Sequence, residues 1–203
     1  MENIVYILLG LTSIVGLTFI IERAFALRWK RNVPTEIEAA VESCESPEDV
    51  PMLKRVCQQH NSSPLSRLLL LAAERLDWPK AEVTDALQTR ARKEIVRLER
   101  GLVVLEIIVG IAPLLGLVGT ILGMMTTFAH FNERGANDPA ELARGIGLIL
   151  KATLIGLLIA IPSLIFWSYY TKKVEMLAVE MESICDEFVR RQYRAVEAGQ
   201  AGS

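Results

Sequence analysis

Cysteine is scarce in this chain: Cys44, Cys57 and Cys185 are the only three in 203 residues. Their number and spacing suit neither a thiolate metal site nor a disulfide framework. They read as reduced thiols packed among helices, with no metal and no cofactor. A basic stretch ahead of the first apolar run is also missing. Glu2 is the only charge there, and no Ala-x-Ala pattern precedes Arg23. This argues against a cleaved leader and for a retained helix. Charge itself is missing from three stretches, residues 4–21, 107–129 and 152–171, which are 18, 23 and 20 residues long. About 20 apolar residues cross a bilayer core. Three transmembrane helices are therefore predicted, the third reaching back to Gly145 if Lys151 is admitted.

What remains is charged and unevenly placed, so the formal net charge of −2 and mean hydropathy of +0.32 average over unlike segments. Arg23, Arg28, Lys30 and Arg31 follow the first run. Arg90, Arg92, Lys93, Arg97 and Arg100 precede the second, and Lys172 and Lys173 follow the third. The short connection between the second and third runs has only Arg134 and Arg144. The positive-inside bias then puts the N-terminus outside, with the middle segment and the C-terminal tail in the cytoplasm.

The expected layout is a first transmembrane helix in 1–28, a cytoplasmic helical region in 29–100 and a second transmembrane helix in 101–131. A periplasmic loop at 132–142, a third transmembrane helix in 143–171 and a cytoplasmic helix and tail in 172–203 follow. In the middle region Pro34, Pro47, Pro64 and Pro79 suit first helical positions, with Ser46 and Ser63 as caps. Short helices are expected near 34–44, 47–59 and 64–77. The apolar LSRLLLLAAERL (65–76) is too short to span and is expected to pack against other helices. From Pro79 a long amphipathic helix runs toward the second span with only Gly101 as a weak break. The third span continues into a tail whose apolar positions are Met176, Leu177, Met181, Ile184 and Phe188. The fold class is thus an all-α integral membrane protein, with the second and third spans extended into long cytoplasmic helices. Asp138, Pro139 and Glu141 read as cap, first residue and capping partner of the third helix.

Two stripes of small residues stand out. Gly116, Thr120, Gly123 and Thr127 share one face of the second span, with Gly119 beside them. Thr153, Gly156, Ala160 and Ser163 share one face of the third. Small residues let backbones approach closely. Pro113 removes a helical hydrogen bond and favours a kink. On these residues alone, tight hairpin packing and a narrow polar path are both open. Glu22 and Glu106 stand near the inner ends of the first two spans, either at the interface beside arginines or at the inner exit of such a path. His130 closes the second span as an interfacial or titrating residue.

APLLGLVGTILGMMTTF, followed by ARGIGLILKATLIGLLIAIPSLIF, resembles the MotA/TolQ/ExbB proton channel family, in its ExbB and TolQ branch. The resemblance covers both hairpin helices through A-P-x-x-G-L-x-G-T-x-x-G and T-x-x-G-L-x-x-A-I-P. It implies a non-enzymatic proton-channel subunit of a molecular motor in the bacterial inner membrane. Such a subunit forms a pentamer around two copies of an ExbD- or TolR-like single-span partner, with a TonB- or TolA-like protein as a further partner and lipid around it. Nucleic acid has no place in it. Thr120 and Thr153 match the family's two pore threonines, which face an aspartate of the partner. One departure is plain: members often carry a glutamate within G-I-x-E-A-L, where this chain has Leu148. Lys151 stands three residues on, either snorkelling to headgroups or contacting a partner or the pore. A flagellar-type stator subunit and a passive membrane scaffold are the alternatives. The process powered, whether import, envelope maintenance or motility, stays open.

Overall fold

The computed structural model describes the backbone of residues 2–134 and 139–201, and the side chains of 3–128, 146, 147 and 149–198. Asp138 and the side chains of His130, Glu141 and Leu148 lie outside the described residues. Among the described residues the only regular secondary structure is helix. In order come α1 (Glu2–Ala26), α2 (Trp29–Asn32), α3 (Thr35–Glu42) and a 3-10 turn (Pro47–Asp49). Then follow α4 (Val50–Gln59), α5 (Pro64–Glu74), α6 (Lys80–Glu99), α7 (Leu102–Arg134) and α8 (Pro139–Ala201). Helices α1, α7 and α8 are long and apolar enough to cross a membrane. The contacts divide the chain into two units, Met1–Arg23 with Gly101–Tyr170, and Ala24–Arg100 with Thr171–Ser203.

The first unit is a three-helix layer whose register is set by glycines. Along α1 and α7, Gly101 lies against Arg23, Gly16 against Ile108, and Gly119 against Val5. Each step up α7 is matched by an equal step down α1, so the two run antiparallel. Helices α7 and α8 pair the same way. A methyl group on Gly116 would stand 2.8 Å from the Ala152 carbonyl oxygen, and one on Gly156 would stand 2.5 Å from that of Ala112. Ile108, Ala112 and Ala160 form the buried seam, with Val104 and Ile159 packed on it. Tyr170 ties α8 to α1 by donating to the Ile20 carbonyl at 2.9 Å. Large apolar side chains such as Ile7, Leu11, Ile14, Leu114 and Leu158 stay exposed, a surface suited to lipid or to other apolar helices.

The second unit is built like a soluble bundle. Leu27, Val33, Ile37, Leu53, Leu65, Leu68, Leu69 and Leu87 are buried in it. The α5 stretch packs inside through Leu65, Leu68, Leu69 and Ala72. From α8, Val174, Leu177, Met181, Cys185 and Phe188 supply the facing stripe. Met176, expected in that stripe, is 48% exposed; the helical turn brings Val174 and Cys185 inward instead. All three cysteines are free and buried.

Two local expectations are corrected. Pro34 and Pro79 do not begin helices. Each sits at the cap with ψ near 135°, one place before Thr35 and Lys80. Pro64 does occupy the first position, with the Ser63 hydroxyl accepting from the Ser66 amide at 3.5 Å. The long helix from Pro79 does not continue unbroken into the second span, because the helical ladder is interrupted at Arg100 and Gly101. There the Arg23 guanidinium fills the space a side chain at 101 would need. The third span, by contrast, is one helix of 63 residues that carries Pro162 within it.

Candidate functional site

The membrane hairpin is assembled from backbone contact outward. Glycine at 116 and 156 lets α7 and α8 meet main chain to main chain. Thr153, half-buried, then reaches across and donates to the Gly116 carbonyl at 3.3 Å. Thr120, 9% exposed, donates back to Leu117 of its own helix at 2.6 Å. From the register, Thr120 stands about 7 Å further along the hairpin axis than Thr153, toward the α7–α8 connection. Ala152 separates them on α8, its methyl carbon 2.8 Å from where a Cβ on Gly119 would be. Gly123 is buried, and its carbonyl accepts from Thr126 at 2.9 Å. Ala160 and Ser163 are buried further down the α8 face; Ser163 donates to its own Ile159 carbonyl at 2.8 Å.

Seven residues make two helical turns less about 20°. Glu106, Pro113, Thr120 and Thr127 therefore follow one another along nearly one line of α7. Pro113, inside the helix, has no N–H to give the Val109 carbonyl. The line thus carries a carboxylate, a carbonyl without its helical donor and a hydroxyl. The run is not evident in the sequence, where Glu106 and the threonines stand well apart. The signal was present as its seven-residue spacing.

The remaining candidates do not gather at the threonines. Lys151 is exposed, level with Leu117 in the hairpin register. Glu22 pairs with its neighbour Arg23 at the charged end of α1. The backbone of Leu148 lies within α8.

A second cluster was missed from the sequence. Glu94 of α6 is 1% exposed, and Arg67, Arg97 and Arg90 reach its carboxylate at 2.6, 3.1 and 3.3 Å. Arg67 also donates to the Asn61 and Ser62 carbonyls at 3.0 and 3.1 Å. Burial pushes the Glu94 carboxyl up. The Arg67 hydrogen bonds and the charges of Arg67, Arg97 and Arg90 outweigh this and hold it below the usual carboxylate range. The signal in the sequence was its register. Glu94 continues the buried stripe of Val83, Leu87 and Leu98, where an apolar residue is the norm.

Fold and site together define a multi-pass α-helical membrane protein with a close-packed, threonine-bearing hairpin. Within that class, the chain belongs to the MotA/TolQ/ExbB proton channel family, whose profile matches residues 60–183. It is 32% identical over 175 residues to a putative biopolymer transport protein ExbB homolog of Methanothermobacter thermautotrophicus, covering 85% of this chain and 61% of that protein. It is 34% identical over 160 residues to a putative biopolymer transport protein ExbB-like 1 of Synechocystis, covering 76% and 62%. To the Tol-Pal system protein TolQ of Pseudomonas aeruginosa it is 32% identical over 114 residues, covering 56% and 49%. The chain thus spans roughly three fifths of the first two relatives' lengths.

Proposed function

We propose that the chain is the channel-forming subunit of an inner-membrane motor that couples proton flow to mechanical work. In this reading several copies, five by the family pattern, enclose two single-span partners of the ExbD or TolR kind. The N-terminus is periplasmic, and the basic residues around Arg23, Arg97 and Lys172 are cytoplasmic. The observation that carries the reading is the hairpin itself. Backbone-close packing brings Thr120 and Thr153 near one another in the hairpin of a proton-channel family member, which supports reading them as part of a pore wall. Hydroxyls suit such a wall because each, while donating to a backbone carbonyl of the hairpin, keeps its lone pairs to accept from a facing protonated carboxyl.

The test is substitution in the assembled complex. Thr120→Ala and Thr153→Ala leave assembly intact and lower proton-driven output about tenfold, the worth of one hydrogen bond to a charged group. Output is read as import or envelope function in cells and compared with a protonophore control. Full activity in both variants sinks the pore assignment. Wild-type activity that ignores a protonophore would instead make the chain a passive scaffold.

A further inference from the structure

Glu106 lies deeper in its span than the other charges around that end of the first unit. Arg23 is beside Gly101 and Gly16 beside Ile108, so Glu106 is level with Thr18. That places it four residues, about 6 Å, further into the apolar layer than Glu22. It falls within the apolar span Leu102–Phe128. Its side chain is exposed and makes no ion pair or hydrogen bond among the described residues. An ionisable side chain at such depth is costly and marks an ion path or a functional contact.

Gly110, one turn away on the same side of α7, has nothing within 4 Å of where its Cβ would be. A helical side chain covers the turn N-terminal to its own Cα. A larger residue at 110 would therefore lie over Glu106, and glycine leaves the carboxylate uncovered. Glu106 also stands about 21 Å from Thr120 along the helix and within about 40° of it around the axis. Val109 and Pro113 fall between them on that line. Of the groups on the line, only the carboxyl can hold a proton and give it up again.

We propose that Glu106 is the inner proton-holding station of the membrane unit. Its carboxylate takes up one proton arriving from the Thr120 side and passes it to water at the charged end of the spans. The residue returns to its starting form, and one proton has crossed. The groups facing it from the packed elements are few. On α1, Glu22 and Arg23 pair with each other. On α8, Lys151 lies about 16 Å further out by the register, and Tyr169 and Tyr170 lie toward the charged end, with the Tyr170 hydroxyl given to Ile20. The inference rests on the proton-channel reading above.

Two measurements test it, labelling of the purified complex in lipid vesicles and the output in cells described above. Dicyclohexylcarbodiimide, an apolar reagent, couples to protonated carboxyls shielded from water. It is expected to modify the peptide carrying Glu106. Glu22 remains unmodified, and Glu106→Gln abolishes the adduct. In the second measurement Glu106→Gln lowers proton-driven output about tenfold or more, with unchanged assembly by size-exclusion chromatography, and Glu106→Asp restores part of it. Modification of Glu106 only by a water-soluble carbodiimide overturns the proposal, because the group then sits in the headgroup layer. Wild-type output from Glu106→Gln overturns it as well. If output falls in Thr120→Ala but not in Glu106→Gln, the pore reading stands and this inference alone fails. If the threonine variants are fully active while Glu106 is labelled and required, the threonine assignment fails and Glu106 remains.

Discussion

At the scale of single residues, Glu94 is the charge on which the second unit most depends. Three guanidinium groups compensate for taking its carboxylate out of water, and all three are left without that partner if it is removed. Breaking a buried pair costs about 3–5 kcal/mol. Arg90 and Arg97 are 36% and 61% exposed and recover solvent, so Glu94→Gln is expected to cost about 2–3 kcal/mol in thermal or denaturant unfolding. The pH dependence has a definite sign. The folded carboxyl is held below its unfolded value of about 4.3, so the native state binds fewer protons than the unfolded one. Its stabilisation is complete above that value and is lost as pH falls through the lower folded one. Melting curves of wild type and Glu94→Gln in detergent should therefore converge in acid. Curves separated by the same interval at all pH values would contradict the assignment. Residues of this kind were hard to read in advance. RKEIVRLER advertises a solvated charged face, and only its register with Val83, Leu87 and Leu98 gives Glu94 away.

At the scale of elements, the sequence was most legible where the physics is one-dimensional. The three uncharged runs became three helices of spanning length, since no other backbone form satisfies its hydrogen bonds there without a closed barrel. Element ends were less legible. Pro34 and Pro79 fit a cap as well as a first turn, and the break before α7 falls where the Arg23 side chain, distant in sequence, packs against Gly101. The glycines separate into two kinds that composition cannot distinguish. Gly156 meets the Ala112 main chain, whereas Gly147 has nothing within 4 Å. Gly156→Ala should force α7 and α8 apart and cost about 2–3 kcal/mol, at the upper end for overpacking because backbone cannot rotate away. Gly147→Ala should be neutral or gain up to about 1 kcal/mol from helix propensity. Thermal melting in detergent checks both, and equal effects would mean that the hairpin register is wrong.

At the scale of the whole molecule, the two units divide by surface. The second buries its apolar stripes within the chain. The first leaves Val103, Ile107, Ile111, Leu114, Leu117 and Ile121 exposed along α7. In the proposed assembly, neighbouring copies and the partner cover this face. Cysteine placed at Leu114, in a background lacking Cys44, Cys57 and Cys185, is expected to cross-link copies in native membranes. Native mass spectrometry is expected to give a multiple of the 22.6 kDa chain. A single copy by both measurements would remove the ring from the proposal. No single chain's sequence or fold reveals such an assembly directly, because the surfaces that would meet are apolar whether they face lipid or protein.

The backbone contacts of the hairpin also determine what a suppressor screen can recover. An alanine at 119 would collide with the Ala152 side chain. A second change, Ala152→Gly, clears that collision and leaves the Val5 side chain, 3.1 Å away, to shift slightly, so revertants of a Gly119→Ala strain should map to 152 or to Val5. An alanine at 156 meets the Ala112 carbonyl oxygen, which every residue type possesses. No replacement at 112 can make room, so a Gly156→Ala strain should yield true revertants or distant compensations and none at its contact. The two glycines look alike in sequence, yet one is a negotiable position and the other a genetic dead end.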